Sequence, residues 1–391
     1  MNILTIGPSP YLLSRESRVN RDVISALKAR GHHVECLSTY HDILHFLPSE
    51  DGIHYYDHEN GMRTRLHPHL QDIGTLPITL IDVMRKVQPS LIISIGDYSE
   101  CAAIYHVKAK YSSLFKWIIL NTTGMDVVNE KYREPLNLAD TIFATCKSAT
   151  LALQKLCSCP VEHIAYGPAE KFTDLSIRNG FSAIIRSNNR QSCNIGAFIR
   201  AMAIADAEGT IHTNIDDPGD YDLRLLINRY KMNEKVKLPN KFVSIREGVP
   251  HYCLNEIYNR HCVAIDCSFQ SGTALSLLEA MSTGCIPIGM NFGAVGDVLN
   301  AVPEEFRCFV QYETLLGPGQ EEHAIISVKD LAVAIKNMKK RFTNDPCWFK
   351  EGGDKVKEVA HNFSNRNFVN RIVDTAEKVL QSEHAIVVDT Y

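Results

Sequence analysis

The stretch that decides the fold runs Asp266-Cys267-Ser268-Phe269-Gln270-Ser271-Gly272-Thr273-Ala274-Leu275-Ser276-Leu277-Leu278-Glu279-Ala280-Met281. An apolar strand, Cys262 to Asp266, feeds a turn of small residues, and the turn opens a helix from Gly272 to Met281. In open α/β sheets such junctions lie at the carboxyl edge of the strands, where ligands meet helix amino termini. The N–H groups of Gly272, Thr273 and Ala274 would then point across a cleft, with the helix dipole favouring an anion. Gly272 lets the backbone come close. Glu279 lies about two turns into the helix, within reach of a sugar hydroxyl if the anion is a nucleotide phosphate. The same residues also fit a plainly capped helix with a structural carboxylate.

Outward from this stretch, strand-like apolar runs alternate with helix-period segments from end to end, which predicts an α/β protein with parallel sheets. Asn2 to Ile6 reads as a strand ending at Gly7-Pro8-Ser9-Pro10. Ser14 is placed to cap a helix carrying Val19, Val23, Ile24 and Leu27, Gly31 stops it, and His33 to Leu37 completes a βαβ unit. Leu91 to Ile95, Trp117 to Leu120 and Thr141 to Ala144 read as further strands. His41 to Leu70, with six histidines in no ligand-like spacing, reads as a solvated loop. Near Gly167-Pro168 the pattern restarts, with strands expected at Phe181 to Ile185, near Ile211, and at Lys235 to Leu238, Cys262 to Asp266 and Ile286 to Gly289. Two doubly wound halves follow, residues 1–170 and 171–364, with a last helix at about Phe368 to Leu380 free to pack back on the first half.

The 391 residues are 45% hydrophobic and 22% charged, which excludes a mainly disordered chain. A formal charge of -4 argues against a broadly basic nucleic-acid coat. No apolar stretch reaches the roughly 18 residues of a membrane-spanning helix. The twelve cysteines have no framework spacing, Cys157 and Cys159 being one residue apart, and read as reduced thiols of a cytoplasmic protein. No cofactor is expected. Nor is a metal: Asp216-Asp217 is adjacent, not an Asp-x-Asp pair, and sits in an acidic loop with Asp220 and Asp222.

Leu254 to Leu299 resembles the donor-binding half of the retaining glycosyltransferases of family 4, which have the GT-B fold of two Rossmann-like domains facing a central cleft. That family carries E-G-F-G-x-x-x-x-E-A-M-A-x-G-x-P-V-I; this chain has Ser271-Gly272-Thr273-Ala274, then Glu279-Ala280-Met281-Ser282-Thr283-Gly284-Cys285-Ile286-Pro287-Ile288. The resemblance implies a sugar transferase, hexosyl or pentosyl, that uses a nucleotide-diphosphate sugar, most simply a UDP-sugar, with retention. It places the ribose on Glu279 and the diphosphate on the Gly272–Ala274 turn. Arg186 and Arg190 stand for the family's cationic pair, with Arg186 stabilising the leaving diphosphate, and Gly7 corresponds to the first βα turn. Ser271 departs from the family: it stands where a carboxylate would touch the transferred sugar.

The acceptor would come from the first half. Asp97, after a strand, could act as a base or cap the next helix. Asp126, in the loop after the next strand, is a further acceptor-side candidate, and the basic stretch Arg15, Arg18 and Arg21 reads either as contacts to a phosphate-bearing acceptor or as a solvated helix face. A glycan or lipid-linked glycan is the expected acceptor. A hydroxymethylated base in DNA is the alternative, with Arg15 to Arg21 and Lys336 to Arg341 as its basic contacts. A protein that binds nucleotide sugars without catalysis is a third reading, which Ser271 favours.

Overall fold

A computed structural model of the protein describes residues 1–8, 10, 15–40, 48–49, 52–57, 62–67, 76–96, 98–124, 126–213, 220–239, 249–317 and 320–381. The first half opens with β1 (Asn2–Pro8), α1 (Arg15–Ala29) and β2 (His33–Tyr40). Val19, Val23 and Leu27 of α1 are fully buried, as their spacing requires, and Gly31 ends the turn at φ +83°. Three strands follow where a loop was expected: β3 (Pro48–Ser49), β4 (Gly52–Asp57) and β5 (Met62–His67). Strand β4 pairs antiparallel with β3 and β5, and β5 joins β2 in parallel. The expectation of a solvated loop over His41 to Leu70 is therefore corrected. The signal was present, because Ile53 to Asp57 and Met62 to His67 are strand-length runs on either side of Asn60-Gly61, a strong hairpin dipeptide.

Next come α2 (Leu76–Val87), β6 (Leu91–Gly96), α3 (Tyr98–Lys110), β7 (Lys116–Asn121), α4 (Arg133–Leu136), β8 (Thr141–Ala144), α5 (Lys147–Leu156) and β9 (Val161–His163). The sheet order is β3-β4-β5-β2-β1-β6-β7-β8-β9, with parallel pairing from β5 to β9. Strands β1 and β6 are apolar runs because helices cover both faces of the sheet, so neither side can be polar.

The second half contains β10 (Ala183–Arg186), α6 (Ile195–Ala205), β11 (Gly209–His212), α7 (Leu223–Arg229), β12 (Val236–Lys237), α8 (His251–Asn259) and β13 (Val263–Ile265). It continues with α9 (Leu275–Ser282), β14 (Ile286–Gly289), α10 (Gly293–Ala301) and β15 (Cys308–Phe309). These strands form a parallel sheet in the order β12-β11-β10-β13-β14-β15. A separate hairpin, β16 (Tyr312–Leu316) with β17 (Glu322–Ile326), follows, and then α11 (Val328–Asn344), α12 (Pro346–Asn362) and α13 (Asn365–Gln381). No described helix is long and apolar enough to cross a membrane.

The chain passes between the halves twice. On the way out Gly167 presses against Phe363 on the way back, so closely that a Cβ at 167 would overlap the Phe363 carbonyl oxygen. Beyond that crossing α13 lies on the first half. Phe368, Ile372, Val373 and Ala376 share a buried cluster with Ile3, Val19, Val23 and Leu27, and Tyr166 meets Phe368 edge to face. Asp22 accepts hydrogen bonds from the Tyr166 hydroxyl (2.7 Å) and the Asn365 side chain (2.8 Å), which ties both crossings to α1.

Candidate active site

Between β13 and α9 the chain makes the expected turn. Ala274, the residue before α9, takes φ +46°, and the Ser271 hydroxyl accepts its N–H at 3.0 Å. The Ala274 amide thus has a partner within the turn, and the Ser271 side chain, 8% exposed, is committed to making it. The remaining turn packs against the first half. A Cβ at Gly272 would overlap the Thr122 carbonyl oxygen, and one at Gly124 would lie 2.6 Å from the Ser271 carbonyl oxygen. Thr145 donates its hydroxyl to the Gly272 carbonyl at 2.6 Å. Glycine on both sides is what allows the two backbones to touch.

Glu279 lies in the second turn of α9 and is 1% exposed. Its Oε1 accepts from Arg18 Nη1 at 2.6 Å, and its Oε2 accepts from Arg186 Nη1 and, at 3.0 Å, from the Tyr258 hydroxyl. Arg186 is the last residue of β10, Tyr258 comes from α8, and Arg18 from α1 in the other half. A buried carboxylate is therefore clamped by one cation from each side of the molecule. Burial opposes its ionisation, but Arg186 and then Arg18 more than offset that, holding the carboxyl below the usual range. Burial and the Glu279 charge push the Tyr258 phenol well above its ordinary value, so it remains a neutral donor. Two guanidiniums against one carboxylate leave a surplus positive charge at the carboxyl edge of the second sheet.

Polar atoms without partners collect on the same elements. Arg18 Nε, Thr273 Oγ1, Thr213 Oγ1 and Asn189 Oδ1 are buried and form no hydrogen bond. Thr213 directly follows β11, Asn189 lies in the loop after β10, and Thr273 is in the turn before α9. Buried groups of this kind are rare in proteins, and Thr5, Asn20, Trp348 and Asn365 carry the other four among the described residues. A cavity of about 1100 Å³ lies elsewhere, towards the amino ends of β10 to β13, lined in part by Gly180, Ser182, Glu208, Lys235, Arg260 and His261, and it includes none of these site residues.

Other residues singled out in the sequence fall as follows. Gly7 is inside β1, where a Cβ would come 2.7 Å from the Ile95 carbonyl oxygen, so the close pairing of β1 with β6 accounts for it. Arg190 is exposed, four residues beyond Arg186. Asp126 Oδ1 accepts the Glu322 N–H at 3.2 Å and so links the first half to the β16–β17 hairpin. Arg15 begins α1. Its side chain, Asp97, Ser14 and the Asp216-Asp217 pair lie outside the described residues. Asp220 and Asp222 bond the N–H groups of Gln191 and Leu225. Among the described residues, no three His, Cys, Asp or Glu side chains gather as a metal site would require. Tyr258 and the Arg18–Glu279 pairing were missed in the sequence: Tyr258 reads as an ordinary core position of its helix.

His212, at the end of β11, is lowered to about 4 by burial and then by the charge of Arg186, and His261 is lowered to about 4, mainly by burial. The unfolded chain protonates both near the ordinary value of 6.5, whereas the folded protein does not until about 4. Their contribution to stability is therefore complete above 6.5 and falls as the pH drops towards 4. Each costs at most about 1.4 kcal/mol per pH unit within that window. The urea midpoint should fall between pH 7 and 5, and His212→Gln should flatten the slope; an equal slope in the variant would assign the acid sensitivity elsewhere.

No protein-family model and no curated protein sequence matches the chain. Solved structures do match in shape. Sucrose-phosphate synthase from Thermosynechococcus elongatus superimposes with a TM-score of 0.77 at 16% identity, over 98% of this chain and 100% of that one. HepE from Anabaena, in complex with UDP and glucose, gives 0.67 at 13% identity, over 97% and 100%. OtsA gives 0.66 at 9%, over 96% and 99%. At these identities the likeness shows the fold: two Rossmann-like domains with parallel sheets on a central cleft, the GT-B arrangement.

Proposed function

We propose that this chain is a glycosyltransferase that moves a hexosyl or pentosyl group from a nucleotide-diphosphate sugar to an acceptor hydroxyl. The observation that carries the reading is the convergence of Arg18 and Arg186, from opposite domains, on Glu279 beside the amino terminus of α9. When a donor enters, its diphosphate offers the arginines a second anion, and the ribose hydroxyls offer Glu279 the donors it would give up. The N–H groups of Gly272 and Thr273 face the same diphosphate. Arg186 then stabilises the charge that develops on the leaving diphosphate, the interaction that lowers the barrier most in such a site. The acceptor comes from the loops after β6 and β7, where Asp97 is the candidate to orient or deprotonate its hydroxyl. Retention, a UDP-sugar donor and a glycan or lipid-linked glycan acceptor complete the proposal. HepE is described with UDP and with UDP-glucose, which makes those two the first ligands to test.

The DNA alternative is weaker on this geometry, because three of its basic residues are engaged. Arg18 is bound to Glu279, Lys339 donates to the Asp206 carbonyl at 2.6 Å, and Arg341 stacks 4.2 Å from the centre of the Trp348 ring. The non-catalytic reading has one observation in its favour: Ser271 spends its hydroxyl on Ala274 and presents no carboxylate to a sugar. Slow hydrolysis of a nucleotide sugar, followed by mass spectrometry, separates the two, since a binding protein would hold the donor intact. Calorimetry that finds no affinity for any nucleoside diphosphate would overturn both.

Because two guanidiniums are already placed to neutralise a diphosphate, activity is expected to survive EDTA. Complete loss in chelator, restored by Mn²⁺, would show that a metal carries that charge instead.

A further inference from the structure

The starts of α5 and α10 meet at the seam between the halves, on either side of the turn that precedes α9. The Ala294 N–H, in the first turn of α10, donates to the Ser271 carbonyl at 3.0 Å, and the Thr145 hydroxyl holds the next carbonyl, that of Gly272, at 2.6 Å. The turn is thus gripped by one bond from each half. Three residues beyond Ala294, Asp297 reaches back to the first half. Its Oδ2 accepts the Lys147 N–H at 2.8 Å, and Lys147 is the first residue of α5, two after Thr145.

This bond is a helix cap supplied from 150 positions away. An α-helix leaves its first four N–H groups unpaired and its amino terminus partly positive, and the residue just before it normally supplies an acceptor. Helix α5 lacks that provision. Cys146, at the capping position, makes no side-chain cap bond, and the first turn contains no acidic residue. A carboxylate from the second half does what a serine or aspartate at 146 would do locally, with one difference. A local cap would tie α5 to itself, whereas Asp297 ties it to α10 and so fixes Thr145 against the turn.

We propose that Asp297 is a positioning residue for the donor: through Lys147, Thr145 and Ala294 it keeps the Gly272 and Thr273 amides where the diphosphate meets them. The proposal rests on the reading of this turn as the diphosphate site. Asp297 Oδ2 is spent on the α5 N–H, so the residue acts on the ligand only by way of the turn.

The experiment uses the full chain, with hydrogen–deuterium exchange of the ligand-free protein and calorimetry with UDP as the probe. Asp297→Ala should speed exchange over residues 145–150 and 271–275 about tenfold, the effect of losing one helix cap, and weaken UDP binding by a similar factor. Asp297→Asn keeps an oxygen for the Lys147 N–H and should recover most of both. Combining Cys146→Ser with Asp297→Ala separates positioning from plain stabilisation. Serine at 146 offers α5 a local cap, so the melting temperature should return while UDP affinity stays low. Affinity that returns together with the melting temperature would overturn the proposal, as would unchanged exchange over 271–275 in Asp297→Ala. A native chain that binds no UDP would overturn the donor reading instead, and the exchange rates would still decide whether Asp297 holds the turn.

Discussion

Glu279→Ala is expected to lose about 3–5 kcal/mol of folding stability, because it leaves two arginines facing each other where their shared carboxylate was. Arg18 is 6% exposed and already has one unbonded nitrogen, so it has no easy route to water. Arg186 is better placed to relax, its side chain being 23% exposed. Urea denaturation should show the loss directly. Ligand binding should divide: inorganic pyrophosphate should stabilise the variant more than the native protein, since it meets an uncompensated pair of cations. A nucleoside diphosphate should lose its advantage over pyrophosphate, because the ribose acceptor has gone. A stability change below about 1 kcal/mol would mean that the arginines solvate freely and the pair is a surface ion pair in effect.

Gly167→Ala should be comparably damaging, for a steric reason. The new methyl would meet the backbone of Phe363, and no flexible side chain lies between that can turn aside. The two crossings would have to separate, at about 3 kcal/mol, the upper end of over-packing penalties. The separation would be felt at Tyr166 and Asn365, which share Asp22, and at the seating of Phe368. Limited proteolysis should then cut within residues 164–172 faster than in the native protein. Unchanged proteolysis together with an unchanged melting temperature would show that the crossing is looser than its geometry implies.

Much of the fold is legible in the sequence because parallel strands buried on both faces must be apolar runs, and those runs at Leu91, Trp117, Thr141 and Ile286 stand out between turn residues. The 52–67 hairpin is less legible: its strands carry His54, Tyr55, Arg63 and Arg65 among few aliphatic residues, so their pattern competes with that of a polar loop. Glu279 can be picked out by its setting in the strand–turn–helix. Its partner Arg18, 261 positions away, cannot, since a basic stretch on a helix looks the same whether it faces solvent or a buried carboxylate. Ser271 illustrates a different limit. The residue type shows a missing carboxylate, but only the backbone, with Ala274 at positive φ, shows where the hydroxyl goes.

The return of α13 to the first half has a consequence for synthesis. A chain emerging from the ribosome displays β1, α1 and β6 early, yet the surface formed by Ile3, Val19, Val23 and Leu27 stays open until Phe368 to Ala376 have been made. For the roughly 270 residues between β6 and Phe368, at about 5–20 residues per second, the nascent protein carries an uncovered apolar face for some 14 to 54 seconds. Domain-by-domain completion during translation is therefore closed to the first half, although the second, lying wholly between the two crossings, can finish first. A protein so wired depends on whatever shields that face in the meantime, and slowing translation late in the message should lower its yield more than slowing it early.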